Sequence, residues 1–572
     1  MKKAYSGKDT LEKNKYVSCL KVLFGVSLFM TGLYYELACA LTSIALLIWL
    51  VLYSRKNTII VKKSVTALTI SVYFAAYLIA PLWAEDKGLA AFGLVKALPV
   101  FLFAICLMQL DAQERRKLML DLPLLGSCMV IVSDGFRWIP VLQDLFLVNG
   151  RLGGFFQYPN TFACFLLICF ELLLLDERQQ KKWQKIAEGV ILVLGFLQAG
   201  SRAAFLIAIL GVAATLVVMR KKRAIIIGAA CIAGSVILIV VPGLFSGSAT
   251  GHMLDISLNA STLLGRLLYW QDVLPIIGKH PFGIGYLGYY FMQGTFQTGV
   301  YSVRWIHNDF LQILLDIGWI PAILCLITIV YALKAKTVLP RQKIILSTLI
   351  LHAFVDFDLQ YVSMFFILLL NLDWDSGKSV AVKKKNLFAG VFSVVTALTL
   401  WLGISSGLAK VGNNTAAVEV YPWNTLSQLQ LLTSTTDIDE YDARSKRILR
   451  QNKYSATAWD AQAELAWRSG DFAGMIQAKQ EAISHNKYDI REYTDYMDKL
   501  LESIERCRKS DQGESLQLCM KELLAIPERL NEVLDGSSAL AWKIVNTPKL
   551  TLPQEYLDIL QTITGGQENE SF

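Results

Sequence analysis

Apolar runs of membrane length recur along this chain from Val17 to Leu408. A helix needs about 20 predominantly apolar residues to cross the hydrocarbon core of a bilayer, and these runs have that length. Backbone polar groups that face lipid must be paired within the segment, so a helix is the only structure open to them. The chain is 54% hydrophobic and 18% charged. We therefore predict an all-α, polytopic membrane protein.

The number of spans depends on residues 342–372. This stretch is too long for one crossing at ~1.5 Å per residue, and it carries His352, Asp356 and Asp358 near its middle. Two short spans with a turn at 354–359 fit better than one tilted helix, and they bring the total to about thirteen instead of twelve. The predicted spans lie near 17–34, 36–53, 64–83, 89–110, 118–134, 160–176, 184–200, 202–219, 224–242, 307–333, 342–372 (two spans) and 387–408.

The basic residues concentrate in alternate links between these spans. The formal net charge is +8, but its placement beside apolar runs indicates membrane topology and no nucleic-acid partner. By the positive-inside rule, the basic links and the N-terminus lie in the cytoplasm. Residues 243–306 then form a large extracytoplasmic loop, and the C-terminus lies outside the cell membrane. A single helix at 342–372 would move the C-terminus into the cytoplasm.

The composition becomes that of a soluble domain near Lys410, so we predict a membrane domain at 1–408 and a helical domain at 409–572. Residues 455–485 have the period of a helical hairpin with a turn at Gly470-Asp471, and the pair resembles a tetratricopeptide repeat. This domain either docks a partner or a glycan, or packs as a cap on the membrane domain. Cys507 and Cys519 could pair if the domain is extracellular, because oxidising compartments permit disulfides.

Arginines recur in four segments of the predicted outer face, at Arg151, Arg202, Arg266 and Arg304. Arginine binds phosphate oxygens in a bidentate fork and stays charged at any relevant pH. A single interfacial arginine is explained equally well by a side chain that extends to the headgroups. Several arginines that converge on one cavity would suit a diphosphate. His307 follows Arg304 closely, and its imidazole titrates near neutral pH.

These segments form an ordered series that resembles the O-antigen ligase and O-antigen polymerase family of integral membrane glycosyltransferases. The resemblance covers about residues 60 to 375, and each motif lies on the predicted outer face. The matching motifs are Arg151-x-x-Gly-x-Phe-x-x-Pro159-Asn160, Ser201-Arg202, Gly265-Arg266-x-x-x-Trp270, His280-Pro281-x-Gly-x-Gly285, His307-Asn308-x-x-Leu311-Gln312, Gly318, and the pair His352 and Asp356.

The resemblance implies transfer of a glycan from a polyprenyl-diphosphate carrier to an acceptor hydroxyl at the outer face of the membrane. It assigns Arg202 and Arg266 to the leaving diphosphate, and His307 to the acceptor as general base. Arg151, Arg304, Asn160, Asn308 and Asp356 are then expected to bind substrate. Either Asp309 or Asp356 would orient the imidazole. The diphosphate is already an activated leaving group, so we expect neither a cofactor nor a metal.

The acceptor stays open between another glycan repeat, a lipid or wall-linked core, and a protein side chain. These acceptors correspond to a polymerase, a ligase and a protein O-oligosaccharyltransferase. A transporter or flippase of lipid-linked glycans is a different class, and it would place charge at mid-membrane on broken helices. A non-catalytic scaffold that displays the C-terminal domain is the third reading. The expected partners are the lipid-linked donor, the acceptor and membrane lipid, and the C-terminal domain could also bind a protein.

Overall fold

A computed structural model describes residues 7–175, 181–219, 261–544 and 549–570. The described residues are overwhelmingly helical, as the apolar runs predict. Two small antiparallel pairs are the only strands among them, Ile60–Lys63 with Lys378–Ala381 and Leu147–Val148 with Arg151–Leu152. The α-helices are Gly7–Phe29, Glu36–Lys56, Val65–Ile79, Lys87–Met108, Ala112–Met119, Leu122–Phe136, Pro140–Phe146, Pro159–Leu174, Lys182–Ala199, Arg202–Met219, Ser261–Lys279, Gly288–Phe296, Asp309–Ile317, Trp319–Lys334, Pro340–Ala353, Val362–Leu370, Lys385–Lys410, Asn414–Val420, Thr425–Ser434, Ile438–Gln451, Ala456–Ser469, Phe472–His485, Ile490–Lys509, Gly513–Asp535, Ala539–Ile544 and Gln554–Glu570.

Five helical segments of the described chain are long and apolar enough to cross a membrane. They are Glu36–Lys56, Val65–Leu82, Lys87–Met108, Ala112–Phe136 and Lys385–Lys410. Shorter apolar helices lie at Pro159–Leu174, Arg202–Leu216 and Trp319–Lys334. The all-α polytopic fold is thus confirmed. The predicted span at 224–242 lies outside the described residues.

The structure differs from the prediction in one span and agrees with it in another. The expected single helix at 307–333 is wrong, because the chain breaks at Gly318, whose φ of 84° separates Asp309–Ile317 from Trp319–Lys334. Residues 342–372 do divide into two helices, Pro340–Ala353 and Val362–Leu370. The turn between them carries Asp356, and a short 3₁₀ turn at Asp358–Gln360 follows.

The described residues fall into two compact units. The first unit lies within Met1–Ala80, Ala91–Ser257 and Ile306–Val411, and the second within Pro81–Ala90, Leu258–Trp305 and Gly412–Phe572. The second unit therefore groups a short link and the described part of the predicted outer loop with the C-terminal segment, which we call the tail (residues 412–572). The division into a membrane domain at 1–408 and a helical domain at 409–572 stays a prediction.

In the first unit, three basic links meet. The strands Ile60–Lys63 and Lys378–Ala381 pair in antiparallel register. The Gln109 side chain donates to the Ile60 carbonyl at 2.8 Å, and Arg115 binds both oxygens of Asp375 at 2.6 and 2.7 Å. Backbone pairing, a side-chain hydrogen bond and an ion pair therefore join the three links.

Polar side chains within the first unit's apolar helices bond to neighbouring helices. Thr348 donates to Glu171 at 2.8 Å, Tyr77 donates to Asp316 at 2.8 Å, and Ser406 donates to Glu36 at 2.7 Å. Each of these acids is buried. A buried polar group costs free energy unless it is hydrogen-bonded, and these pairs therefore fix the relative rotation of the helices.

In the second unit, the tail packs tightly on both other segments. The Tyr421 hydroxyl donates to the Gly88 carbonyl at 3.1 Å, and a Cβ at Gly88 would lie 2.0 Å from the carbonyl oxygen of Trp423. A Cβ at Gly294 would lie 1.7 Å from the carbonyl oxygen of His485. Only glycine allows such approach of two backbones. The link, the loop and the tail are consequently packed together within this unit.

The tail itself is a series of helical hairpins. Helices Ala456–Ser469 and Phe472–His485 form the predicted pair, with Gly470 at a φ of 81° and the Asp471 side chain capping the second helix. Both features are typical of a helix end followed by a new helix start. The pair is confirmed as a helical hairpin, while its membership of the tetratricopeptide class stays a prediction. Cys507 and Cys519 are free thiols in the structure.

Candidate active site

Asp356 is the centre of a polar network in the first unit. Its side chain is fully buried, and its carboxylate accepts from the Tyr158 hydroxyl at 2.9 Å and from the Asn160 amide at 2.8 Å. The backbone N–H of Phe357 also donates to it at 3.0 Å. The Nδ1 atom of His307 lies 3.2 Å from the same carboxylate. A buried carboxylate is stable only with such partners.

Arg151 connects the network to the turn between helices Lys182–Ala199 and Arg202–Met219. Its guanidinium donates to the Asn160 side-chain oxygen at 2.7 Å and to the carbonyl of Ala199 at 2.9 Å. Asn160 stands at the start of helix Pro159–Leu174, where Pro159 provides the fixed φ that suits a first helical turn. We call Arg151, Tyr158, Asn160, His307 and Asp356 the Asp356 network.

His307 occupies a constrained position at the edge of this network. Its backbone φ is +52°, a left-handed conformation that is unusual for a residue other than glycine. Its side chain is 21% exposed, whereas that of Asp356 is 0% exposed. Strained backbone of this kind persists only where the surrounding structure holds it, often at functional sites. The imidazole is thus held against a buried carboxylate with part of its ring at the surface.

The neighbours of His307 have other partners. The Asn308 side-chain oxygen caps the following helix by accepting from Phe310 N and Leu311 N at 3.0 and 3.1 Å. Asp309 accepts from the backbone of Leu359 at 2.8 Å. Of the two carboxylates predicted to orient the imidazole, Asp356 is therefore the one in contact with it.

A second imidazole–carboxylate pair lies nearby. The Nδ1 atom of His352, in the last turn of helix Pro340–Ala353, lies 2.6 Å from Asp358. Thr161 donates to the other Asp358 oxygen at 2.8 Å. Ligand atoms of Cys164, His352 and Asp358 lie within 4.8 Å of one another. Within the described ranges these three residues could hold a metal, so metal independence stays a prediction.

Lys96 connects the turn that carries Asp356 to another link. Its buried ammonium donates to the carbonyls of Leu33, Tyr34 and Gln360 at 3.1, 2.6 and 2.7 Å. These carbonyls belong to two separate links, residues 30–35 and the 3₁₀ turn after Asp356. An ammonium has three donors and can join several carbonyls at one point.

The remaining predicted arginines are divided between the units. Arg202 begins a helix of the first unit, directly after Ser201, whose hydroxyl accepts from Ala204 N at 3.3 Å. It lies three residues beyond the Ala199 carbonyl that Arg151 binds. Arg266 and Arg304 belong to the second unit. Arg266 is half-buried on helix Ser261–Lys279, and Arg304 stacks over the ring of Trp305 at 5.5 Å.

Sequence reasoning missed Tyr158 and Thr161, and it left the partners of Lys96 open. Tyr158 stands beside the Pro159-Asn160 motif, and Thr161 follows it, so proximity to a motif was an available signal. The sequence also contained a signal for Lys96, because an ionisable residue within a span indicates function by default. What the sequence could not supply was the partner of each residue.

Residues 189–336 match the O-antigen ligase family model. The match includes Arg202, Arg266, Arg304 and His307, while Arg151 and Asp356 precede and follow it. No significant match was found among curated proteins or solved structures. The apolar helices indicate a multi-pass membrane protein. The matched segment is similar to O-antigen ligases, which supports a ligase- or polymerase-type action on glycans.

Proposed function

We propose that this protein transfers a glycan from a polyprenyl-diphosphate carrier to an acceptor hydroxyl, on the extracytoplasmic face of the membrane. The contact between His307 and the buried Asp356 is the observation that carries the proposal. A general base needs an imidazole held in one orientation and one tautomer, and a carboxylate on Nδ1 provides both. The family match over residues 189–336 supports the reaction class.

In the proposed reaction, the Nδ1–H of His307 donates to Asp356, which leaves Nε2 as the proton acceptor. Nε2 takes the proton of the acceptor hydroxyl while that oxygen forms a bond to the anomeric carbon of the donor. The bond between the anomeric carbon and the diphosphate oxygen breaks, and its electron pair leaves with the polyprenyl diphosphate. Developing negative charge on that diphosphate is where fixed cations lower the barrier most.

Arg202 is the proposed cation of the first unit for the diphosphate. Arg151 serves this role indirectly, because its two hydrogen bonds join the Asn160 end of the network to the turn that leads to Arg202. Arg266 keeps the role on the leaving diphosphate that the family resemblance implies, and Arg304 keeps its implied role in substrate binding. The acceptor stays open between a glycan repeat, a lipid-linked core and a protein hydroxyl.

The proposed topology places the basic links in the cytoplasm and the Asp356 network outside. The pairing of Ile60–Lys63 with Lys378–Ala381 supports it, since both strands belong to links that the positive-inside rule assigns to the same side. We extend this topology to residues 409–572, which include the tail and which we propose form an extracytoplasmic domain.

The test is a glycan profile of cells that lack the native gene and carry wild type, His307→Ala or His485→Ala at matched membrane levels. His485 is the matched control because it lies in the tail, outside the Asp356 network. We expect His307→Ala to accumulate diphosphate-linked glycan and to lose the mature product, while the control restores it. Restoration of the mature product by His307→Ala would contradict the proposal.

A further inference from the structure

The tail contains a concave groove that the proposed reaction does not use. It has a volume of about 840 Å³ and lies between the start of helix Ile438–Gln451, helix Ala456–Ser469, Lys479 and residues 486–499. Small-molecule and oligosaccharide sites commonly have about 300 to 1,000 Å³. We call this feature the tail groove.

A buried cation forms the floor of the tail groove. The Lys479 side chain is only 2% exposed, and its ammonium contacts Asp460 at 2.6 Å, Glu492 at 2.7 Å and Asp495 at 2.9 Å. Lys499 adds a second link, with Glu464 at 2.9 Å and Asp495 at 3.1 Å. These ion pairs hold several carboxylates in fixed positions, so little side-chain entropy remains to be lost when a ligand binds.

The carboxylates keep surface that a ligand can reach. Asp495 is 46% exposed and Asp460 is 31% exposed, although both bind Lys479. A carboxylate has about four acceptor sites, and the lysine occupies only part of them. The groove therefore presents pre-positioned hydrogen-bond acceptors beside the cations Arg468 and Lys499.

The rest of the lining favours a ligand rich in hydroxyl groups. Thr435, Thr436, Thr457, Tyr441 and Asn486 supply neutral polar groups, and Ile438 and Leu465 are the aliphatic side chains of the lining. Five carboxylates and four cations line the groove, so its net charge is close to zero. The described lining lacks the apolar groove or strong net charge by which amphipathic or acidic peptide motifs are bound. The hydroxyls of a saccharide, which both donate and accept, match the polar groups that it does present.

We propose that the tail groove binds a saccharide, as a subsite for the glycan on which this protein acts. The identity of that ligand rests on the proposed function, while the binding itself can be tested without catalysis. Carboxylates of the Lys479 cluster would accept from sugar hydroxyls, and Lys499 and Arg468 would donate to them. A growing or large glycan bound at the proposed active site could then also bind in the tail groove. Two linked binding events would keep it on the protein longer than either one alone.

The experiment measures binding to the full-length His307→Ala protein in nanodiscs, so that turnover cannot consume the ligand. The probe is the oligosaccharide released by mild acid from the lipid-linked pool of the host strain. Thr457→Trp is added to fill the tail groove, because Thr457 is an exposed lining residue outside the ion-pair cluster. Gln477→Trp is the matched control, an exposed position that does not line the groove.

We expect Thr457→Trp to weaken binding of the oligosaccharide about tenfold or more, and Gln477→Trp to leave it unchanged. Equal binding by both variants overturns the proposal. Binding of a lysine-rich peptide without any oligosaccharide binding also overturns it, in favour of a peptide site. Transfer activity of Thr457→Trp without the His307 change is measured separately. Loss of transfer in His307→Ala tests the proposed function. The outcome of that assay does not depend on whether the tail groove binds the oligosaccharide.

Discussion

The Nδ1 atom of His307 lies 3.2 Å from Oδ1 of Asp356, across 49 residues of sequence. The carboxylate belongs to the turn between helices Pro340–Ala353 and Val362–Leu370, and the imidazole stands before helix Asp309–Ile317. Neither the helical period nor local spacing brings these residues together. The contact is therefore a product of the packing of the first unit, and it leads to the first prediction.

Asp356→Asn removes the charge that would stabilise an imidazolium at His307, while it preserves the size of the side chain. We expect transfer to fall by about 10²- to 10⁴-fold, the usual contribution of positioned acid–base groups. The pH profile of the residual activity should also change, since the imidazole loses its partner. Steady-state rates of purified protein between pH 5 and 9 measure both effects. An unchanged rate and profile would remove Asp356 from the mechanism.

Arg151→Lys keeps the positive charge but replaces the two nitrogens of the guanidinium fork, Nη2 bonded to Asn160 and Nε bonded to Ala199, by one nitrogen at the end of a shorter head group. We expect transfer to fall about tenfold or more, because a hydrogen bond of a charged group is lost. Arg137→Lys is the matched control, since Arg137 bonds to Gln198 outside the Asp356 network. Equal activity of the two variants would show that charge alone suffices at position 151.

Lys96→Met replaces the ammonium by an apolar group of similar length. The carbonyls of Leu33, Tyr34 and Gln360 lose their donor, and the turn that carries Asp356 loses its tie to residues 30–35. We expect kcat to fall while the pH profile of the remaining activity keeps its shape, because Lys96 positions the turn and transfers no proton. A shifted pH profile would instead give Lys96 a part in acid–base chemistry.

Gly294→Ala tests the packing of the outer loop on the tail. The added Cβ would meet the His485 carbonyl, so the two backbones must separate. We expect faster hydrogen exchange in residues 288–303 and around His485. Gly278→Ala is the matched control, because nothing lies within 4 Å of a Cβ at that glycine of the same loop. Equal exchange in both variants would contradict the close contact.

The acid Asp460 gives a pH-dependent prediction for the tail. Burial, followed by repulsion from Glu492, raises its pKa from 3.8 to about 6. Between pH 3.8 and about 6, Asp460 is therefore largely protonated in the folded tail and ionised in the unfolded chain. Its contribution to the free energy of unfolding falls as pH rises through that window. Asp460→Asn should remove this slope. Hydrogen exchange of residues 456–499, compared between wild type and variant at each pH, measures it; parallel slopes would contradict the prediction.

Sequence alone predicts the helices of the first unit well, because apolar length fixes where a membrane helix can lie. The expected span 202–219 coincides with helix Arg202–Met219, and 387–408 lies within Lys385–Lys410. The break at Gly318 is invisible in hydropathy, since a single glycine is compatible with a continuous apolar helix. Its φ of 84° lies in a region that glycine adopts readily.

Sequence motifs identify four residues of the Asp356 network, but they do not show which of these residues bond to one another. Arg151, Asn160, His307 and Asp356 all stand in motifs of the sequence, and the first unit joins them in one hydrogen-bonded network. The helix ends at Ala353, and in the turn that follows Asp358 contacts His352 whereas Asp356 contacts His307.

The most direct measurement follows the bond that the proposed reaction breaks. Purified protein in nanodiscs is supplied with a polyprenyl-diphosphate-linked glycan and a glycan acceptor, and mass spectrometry detects released polyprenyl diphosphate and the new glycosidic product. We predict stoichiometric release and product formation by wild type and by His485→Ala, with neither above background for His307→Ala. Product formation by His307→Ala at the wild-type rate, or movement of intact donor across the bilayer without release of the diphosphate, would contradict the account.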